Sequence, residues 1–305
     1  MKLGIIGAGF VGYAVGSTAA RLGIVDDIKF NDIIEGKANA QAMDIEDANK
    51  YYPHRVKMSA GSYEDMADRD IIVLATGDLH GVKDRLEEWY KFKDATKEYV
   101  QRIVKAGFKG IFIVASNPCD LMAYLVYKTS GFDKSRVIGA GTQLDTARLN
   151  TTLANILDVD PKRVKGVVLG EHGESQFVAW SNVYVDNIKL SDYIEQNNIS
   201  FSKEEVEEKV RSRAWAIISK KEHTQSGIGF SICEMIDAIV NDRNDIILAS
   251  TLHNGTYGLN DIYLATPCII GKNGIVKALT LNLTNEELEK IKHSEKVLKE
   301  NWNKK

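Results

Sequence analysis

The chain has 305 residues, of which 44% are apolar and 27% charged, and a formal net charge of −3. That length allows two domains, or one large one, around a substantial core. A near-neutral balance with no basic stripe argues against nucleic acid as a partner. No apolar stretch approaches the roughly 20 residues that cross a bilayer, so no membrane partner is expected. Three widely spaced cysteines, Cys119, Cys233 and Cys268, point to a reducing, cytoplasmic compartment rather than a disulfide framework. The N-terminus enters a strand pattern at once, which leaves no room for a signal peptide. Six histidines without close ligand spacing leave no expected metal site.

In chain order, the first apolar run is Leu3–Ile6, followed by GAGFVG at Gly7–Gly12 and a helical stretch, Tyr13–Leu22, closed by Gly23. Strand, Gly-x-Gly-x-x-Gly and helix is the order a dinucleotide site requires. Gly7 permits the tight turn, Gly9 lets backbone approach a pyrophosphate, and Gly12 lets helix pack on strand. Phe10 and Val11, between those glycines, join the candidate cofactor contacts. Asp32 stands twenty residues beyond Gly12, after the run Ile28–Asn31. A carboxylate there accepts from both ribose hydroxyls and repels a 2′-phosphate, favouring NAD over NADP. The plainer alternative is a glycine turn with a surface aspartate.

Further apolar runs at Val56–Ser59, Ile71–Thr76, Ile111–Ser116 and Val137–Gly141 alternate with helix-period stretches. That is the pattern of an α/β, Rossmann-type doubly wound parallel sheet. Ligands bind beyond the carboxyl ends of such strands, so Thr76, Gly77, Ser116 and Asn117 are expected near the nicotinamide half of the cofactor. The polar stretch Asp78–Glu88 reads as a loop able to close over that crevice. Arg85 on it would either polarise a reacting carbonyl or serve as a solvated helix-start arginine, and spacing does not separate the two.

Beyond this the alternation gives way to long helices and paired strands at Gly166–Leu169, Phe177–Tyr184, Ile262–Ile270 and Gly274–Leu279. The expected division is an NAD-binding domain over 1–139 and a mixed α+β, substrate-binding and catalytic domain over 140–305. The last helix opens with a capping box, Thr284 to Glu287, and carries Leu288, Ile291, Leu298 and Trp302 as its expected buried stripe. Two strings in this half carry chemistry. LDTAR, Leu144–Arg148, puts Asp145 and Arg148 three residues apart on one helix face. GEHG, Gly170–Gly173, brings His172 from a separate segment. A histidine oriented by a carboxylate is a general acid/base near neutral pH, and an arginine beside it can grip a substrate carboxylate through two parallel hydrogen bonds. A lone histidine next to glycine is more often structural; the dinucleotide signature gives this one its weight.

Taken together, these residues resemble the L-lactate/malate dehydrogenase superfamily, and within it the L-2-hydroxyisocaproate dehydrogenase branch. The resemblance runs from Met1 to the C-terminal helix. It rests on GAGFVG, Asp32, AMD at Ala42–Asp44, SNP at Ser116–Pro118, LDTAR, and GEHGESQFVAW at Gly170–Trp180. It implies a lactate/malate dehydrogenase-like fold, NAD as cofactor, a small 2-oxo or 2-hydroxy acid as substrate, and a homo-oligomer, dimer or tetramer. His172 would be the proton donor and acceptor, Asp145 its orienting partner, Arg148 the carboxylate clamp and Arg85 the loop arginine. Asn117, after which a cis bond to Pro118 is implied, would contact substrate, and Thr224 would line the pocket near the substrate side chain.

The loop departs from the family pattern. It reads GDLHGVKDR, one residue shorter than in lactate dehydrogenases, with Leu79 or His80 where those enzymes carry glutamine and malate dehydrogenases arginine. A roomier apolar pocket for branched or aromatic 2-oxo acids is therefore expected, in which neither Leu79 nor His80 is a good partner for a second carboxylate and Lys83 is the other loop cation to consider. Asn150 and Lys165 stand where enzymes activated by fructose bisphosphate carry Arg and His, so that activation is not expected. L-lactate dehydrogenase proper, malate dehydrogenase, an NAD-dependent glycosidase and a non-catalytic NAD-binding protein are the alternatives.

Overall fold

The computed structural model describes residues 1–77 and 85–304, without the side chain of Arg85. The first part alternates strand and helix: β1 (Lys2–Ile6), α1 (Phe10–Leu22), β2 (Asp27–Asn31), α2 (Lys37–Glu46), β3 (Lys57–Ala60), β4 (Ile71–Leu74), α3 (Arg85–Lys105), β5 (Ile111–Val114), α4 (Cys119–Ser130) and β6 (Val137–Gly139). Runs such as IIVL and IFIV are buried at every position, as strands covered on both faces must be. The six strands are parallel in the spatial order β6-β5-β4-β1-β2-β3. The chain therefore winds outward from β1 through β3, returns past β1 to β4, and winds outward the other way. Between β1 and β4 lies the switch point where such sheets open a ligand crevice at their carboxyl ends.

The second part begins with α5 (Gln143–Leu157) and the short strands β7 (Val164–Lys165), β8 (Val168–Leu169), β9 (Phe177–Val178), β10 (Tyr184–Val185) and β11 (Ile188–Lys189). It continues with α6 (Leu190–Gln196), α7 (Lys203–Lys221), α8 (Ser226–Val240), β12 (Asp245–Asn254), β13 (Asn260–Gly271), β14 (Gly274–Ala278) and α9 (Asn285–Asn303). The expected single strand Phe177–Tyr184 is instead two short strands separated by a 3-10 turn at Trp180–Asn182. There the Trp180 indole N–H donates to Glu207 and the Ser181 hydroxyl to Glu287, bonds that favour a turn over an extended strand.

The long strand β12 has no counterpart among the expected elements. It pairs antiparallel with β13 along its whole length and, through Ser250 and Gly139, with β6. The antiparallel strands of the second part thus continue the parallel sheet of the first into one nine-stranded sheet. Two apolar cores cover its faces, and a third lies beneath α5, α6 and α7. On the last helix the Thr284 box forms as expected, but the buried face runs through Glu287, Ile291, Ser294, Leu298 and Asn301, with Leu288 only half buried. Glu287 is drawn inward because its carboxylate accepts from Ser181 and from the Thr284 main chain. Among the described residues no helix is long and apolar enough to cross a membrane.

Candidate active site

The turn after β1 is held by backbone contacts that exclude side chains. Gly7 adopts φ +98°, and a Cβ on Gly12 would lie 1.9 Å from the Gly7 carbonyl oxygen. At Gly9, by contrast, a Cβ would meet nothing within 4 Å, so space stands open above the turn at the N-terminus of α1. Backbone N–H groups at such a helix start, with room beside them, are what a pyrophosphate needs. Asp32 lies just past β2. Its oxygens accept from the N–H groups of Ala8 (2.8 Å) and Ile34 (2.9 Å), and Lys37 Nζ stands 3.6 Å away. The carboxylate is thereby fixed beside the turn. Open space at Gly9, the helix start and a fixed acid together fit an NAD molecule; Gly7, Gly9 and Gly12 would hold its phosphates and Asp32 its ribose.

At the carboxyl ends of β4 and β5, Thr76 and Ser116 share a hydrogen bond of 2.9 Å, and Tyr99 on α3 reaches Thr76 at 3.3 Å. Burial pushes the Tyr99 phenol up to about 12, so it stays a neutral donor and acceptor. Gly77 is exposed beside them, and the Asn117–Pro118 bond is cis, as the resemblance implied.

The candidate catalytic cluster draws on two segments of the second part. The first turn of α5 carries Asp145, and one turn on Arg148 faces the same way. Arg148 Nη1 donates to Asp145 Oδ1 at 2.8 Å, while Asp145 Oδ2 lies 2.5 Å from His172 Nδ1. Asp145 is 1% exposed, and the side chain of His172 only 12%. One buried carboxylate thus joins the other two groups, holding the imidazole through Nδ1 so that Nε2 is the nitrogen presented to a ligand. Such a set can bind a carboxylate and move one proton. His172 is positioned by the segment after β8. Gly170 forms an isolated bridge with Ala265 on β13, and Ser175 beyond it accepts from Ser294 of α9.

The pocket around this cluster is lined by Asp145, Arg148, His172, Gly173, Gln176 and, from α7, by Arg211 and Trp215. Neither α7 residue was legible as a site residue. Both stand on a charged helix, outside its buried residues Val206, Val210 and Ala214. Arg211 donates to Glu208 at 2.8 Å and lies 4.0 Å from Glu174, so an arginine does stand at this pocket, already matched by two carboxylates. Thr224 is half buried on the connection between α7 and α8 and is not among the lining residues. Its neighbour His223 stacks on Phe10 of the glycine turn, rings 3.5 Å apart and nearly parallel, which brings that connection to the same turn. Val11 is half buried in α1. Leu79, His80 and the Arg85 side chain lie outside the described residues.

Sequence profiles of two families match the chain: "lactate/malate dehydrogenase, NAD binding domain" over residues 1–139 and "lactate/malate dehydrogenase, alpha/beta C-terminal domain" over residues 142–305. L-lactate dehydrogenase 2 of Bacillus anthracis is 37% identical, the alignment covering 98% of each chain. L-lactate dehydrogenase of Bacillus pumilus is 35% identical over 98% of this chain and 96% of its own. Among solved structures, a lactate dehydrogenase from a Medee basin deep-sea metagenome library superposes with a TM-score of 0.94 at 36% identity, covering 98% of this chain and 97% of the other. The minor L-lactate dehydrogenase from Enterococcus mundtii, in its ligands-bound form, gives 0.95 at 33% identity, covering 99% and 97%. With both profiles spanning nearly its whole length, the chain belongs to the lactate/malate dehydrogenase family as an NAD-dependent 2-hydroxy acid dehydrogenase.

Proposed function

We propose that this enzyme interconverts (S)-2-hydroxy acids and 2-oxo acids whose side chains are larger than methyl, in the manner of an L-2-hydroxyisocaproate dehydrogenase. The observation that carries the chemistry is the buried Asp145 carboxylate bonded at once to His172 and Arg148. Bound NAD supplies the hydride acceptor for oxidation and, reduced, the donor for the reverse. Arg148 binds the substrate carboxylate and so presents one face of the reacting carbon. Neutral His172 takes the hydroxyl proton at Nε2 in oxidation, and the imidazolium returns it in reduction. Asp145 stabilises the imidazolium and keeps the ring oriented throughout. Arg85 acts on the carbonyl oxygen, and Asn117 and Thr224 on the substrate's flanks. The buried neighbours of the cluster limit water at the proton transfer.

Trp215 supports the side-chain reading, because its half-buried ring offers an apolar wall beside the cluster. A second reading, L-lactate dehydrogenase proper, has the names of the relatives in its favour. Arg211 alone does not favour a dicarboxylate, since Glu208 and Glu174 already offset its charge. A steady-state comparison of pyruvate, 2-oxoisocaproate, phenylpyruvate and oxaloacetate with NADH separates the readings. Each methylene buried is worth at most ~0.8 kcal/mol, so 2-oxoisocaproate is expected to exceed pyruvate in kcat/KM by about ten- to a hundredfold. Pyruvate as the best substrate would establish the second reading. Oxaloacetate as the best would mean that Arg211 exchanges its glutamate partners for substrate.

A further inference from the structure

One buried carboxyl beside the cluster has no part in the mechanism above. Asp120 sits in the first turn of α4, three residues after Asn117, and is 2% exposed. Its Oδ2 accepts the main-chain N–H of His172 at 2.8 Å, across 52 positions of sequence. Its Oδ1 has no hydrogen-bond partner among the described residues. The Ser250 hydroxyl on β12 bears on the carboxyl, yet among the described residues it makes no bond in full hydrogen-bond geometry. Burying a carboxylate this completely is unfavourable, and a neutral side chain could accept one N–H as well. An acid kept in such a place therefore calls for a use of its charge.

We propose that Asp120 is a positioning residue for the proton transfer, whose carboxylate ties the His172 main chain to α4 and so keeps the acid/base in register with Asn117. This rests on His172 being the proton-transferring group. The tether links segments that nothing in the local sequence connects, the start of α4 and the turn after β8. The groups that bear on Asp120 are Glu171 and His172 from that turn, Asp145 from α5 and the Ser250 hydroxyl from β12. Burial, reinforced by the charges of Glu171 and Asp145, pushes the Asp120 carboxyl up to about 7, against the lowering by Ser250 and the His172 N–H. A charged acceptor bonds an N–H about twice as strongly as a neutral one, so the tether tightens as the pH rises through that value. Its charge, held at the His172 main chain, is expected to favour the imidazolium.

Two variants and two readouts test this. Asp120→Asn keeps an acceptor oxygen and loses the charge; Asp120→Ala loses both. Imidazole titrations are followed by ¹⁵N NMR from about pH 5 to pH 8, with His172→Gln identifying the His172 signal, and steady-state kinetics cover the same range. In Asp120→Asn the midpoint of the His172 titration should be lowered, and the kcat profile should lose the ionisation of Asp120. In Asp120→Ala kcat should fall roughly ten- to a hundredfold, the scale of a misplaced catalytic group, while the Kd for NADH is unchanged. A wild-type His172 titration in Asp120→Asn, or a wild-type kcat in Asp120→Ala, would overturn the tether. The NMR arm still decides if Asp120→Ala fails to fold. It also decides if the wild-type enzyme turns over no 2-oxo acid, a result that would sink the proposed function instead.

Discussion

The glycine turn after β1 and the Asp145–Arg148–His172 cluster of this enzyme are built by different means. The turn lies within six consecutive residues and is held by the absence of side chains: Gly7 takes a left-handed backbone and Gly12 leaves no room for a Cβ. The cluster is held by the presence of side chains. Asp145 and Arg148 come from α5 and His172 from the turn after β8, and buried hydrogen bonds of 2.5 and 2.8 Å unite them. A local device tolerates little change of backbone but is indifferent to charge. A dispersed one tolerates small shifts of backbone but not the loss of a charged partner. In the first the stabilising interactions are steric and short in sequence; in the second they are electrostatic and act across the fold.

That contrast predicts where substitutions do the most damage. Replacing His172 by Gln should lower kcat by about 10²–10⁴-fold, the usual worth of acid/base help, with NADH binding intact by fluorescence titration. A variant keeping half its kcat would show that the cluster does not carry the proton. Arg148→Lys keeps the charge but not the planar fork that serves both Asp145 and a carboxylate. The expected outcome is a loss in kcat/KM of about a hundredfold, within the range for truncating a buried charge pair. A near-normal KM would place the carboxylate elsewhere.

Within the turn, Gly12→Ala should lower stability by roughly 1–3 kcal/mol through overpacking and weaken NADH binding with it. Gly9→Ala sharpens the point, because its Cβ meets open space and its φ of −80° suits any residue. Thermal denaturation should therefore be unchanged while the Kd for NADH rises. A parallel loss of stability at both glycines would erase the distinction between turn and ligand contact. The smallest effect is expected far from both regions: Thr284→Ala removes the cap of α9 and should cost about 1 kcal/mol without altering kcat. A drop in kcat there would mean that α9, through Ser294 and Ser175, sets the position of His172 as well.

How much of this was legible in one dimension follows the same division. The strand before Gly7, the acid at Asp32, the alternation up to β6 and the capping box at Thr284 all rest on neighbours in the chain. Hydrophobic period, glycine spacing and capping chemistry therefore determined them without the fold. Asp145 and Arg148 were legible for the same reason, being one helical turn apart. The rest depends on contacts between distant residues. That β12 joins β6 and makes one sheet of both parts is decided by pairing between Ser250 and Gly139. The break at Trp180–Asn182 is decided by partners on α7 and α9. Only the packing of α7 brings Arg211 and Trp215 to the pocket, and only the approach of α4 to the turn after β8 puts Asp120 beneath His172. Buried polar groups must find partners wherever the tertiary structure supplies them, and the spacing of residues along the chain carries no record of that choice.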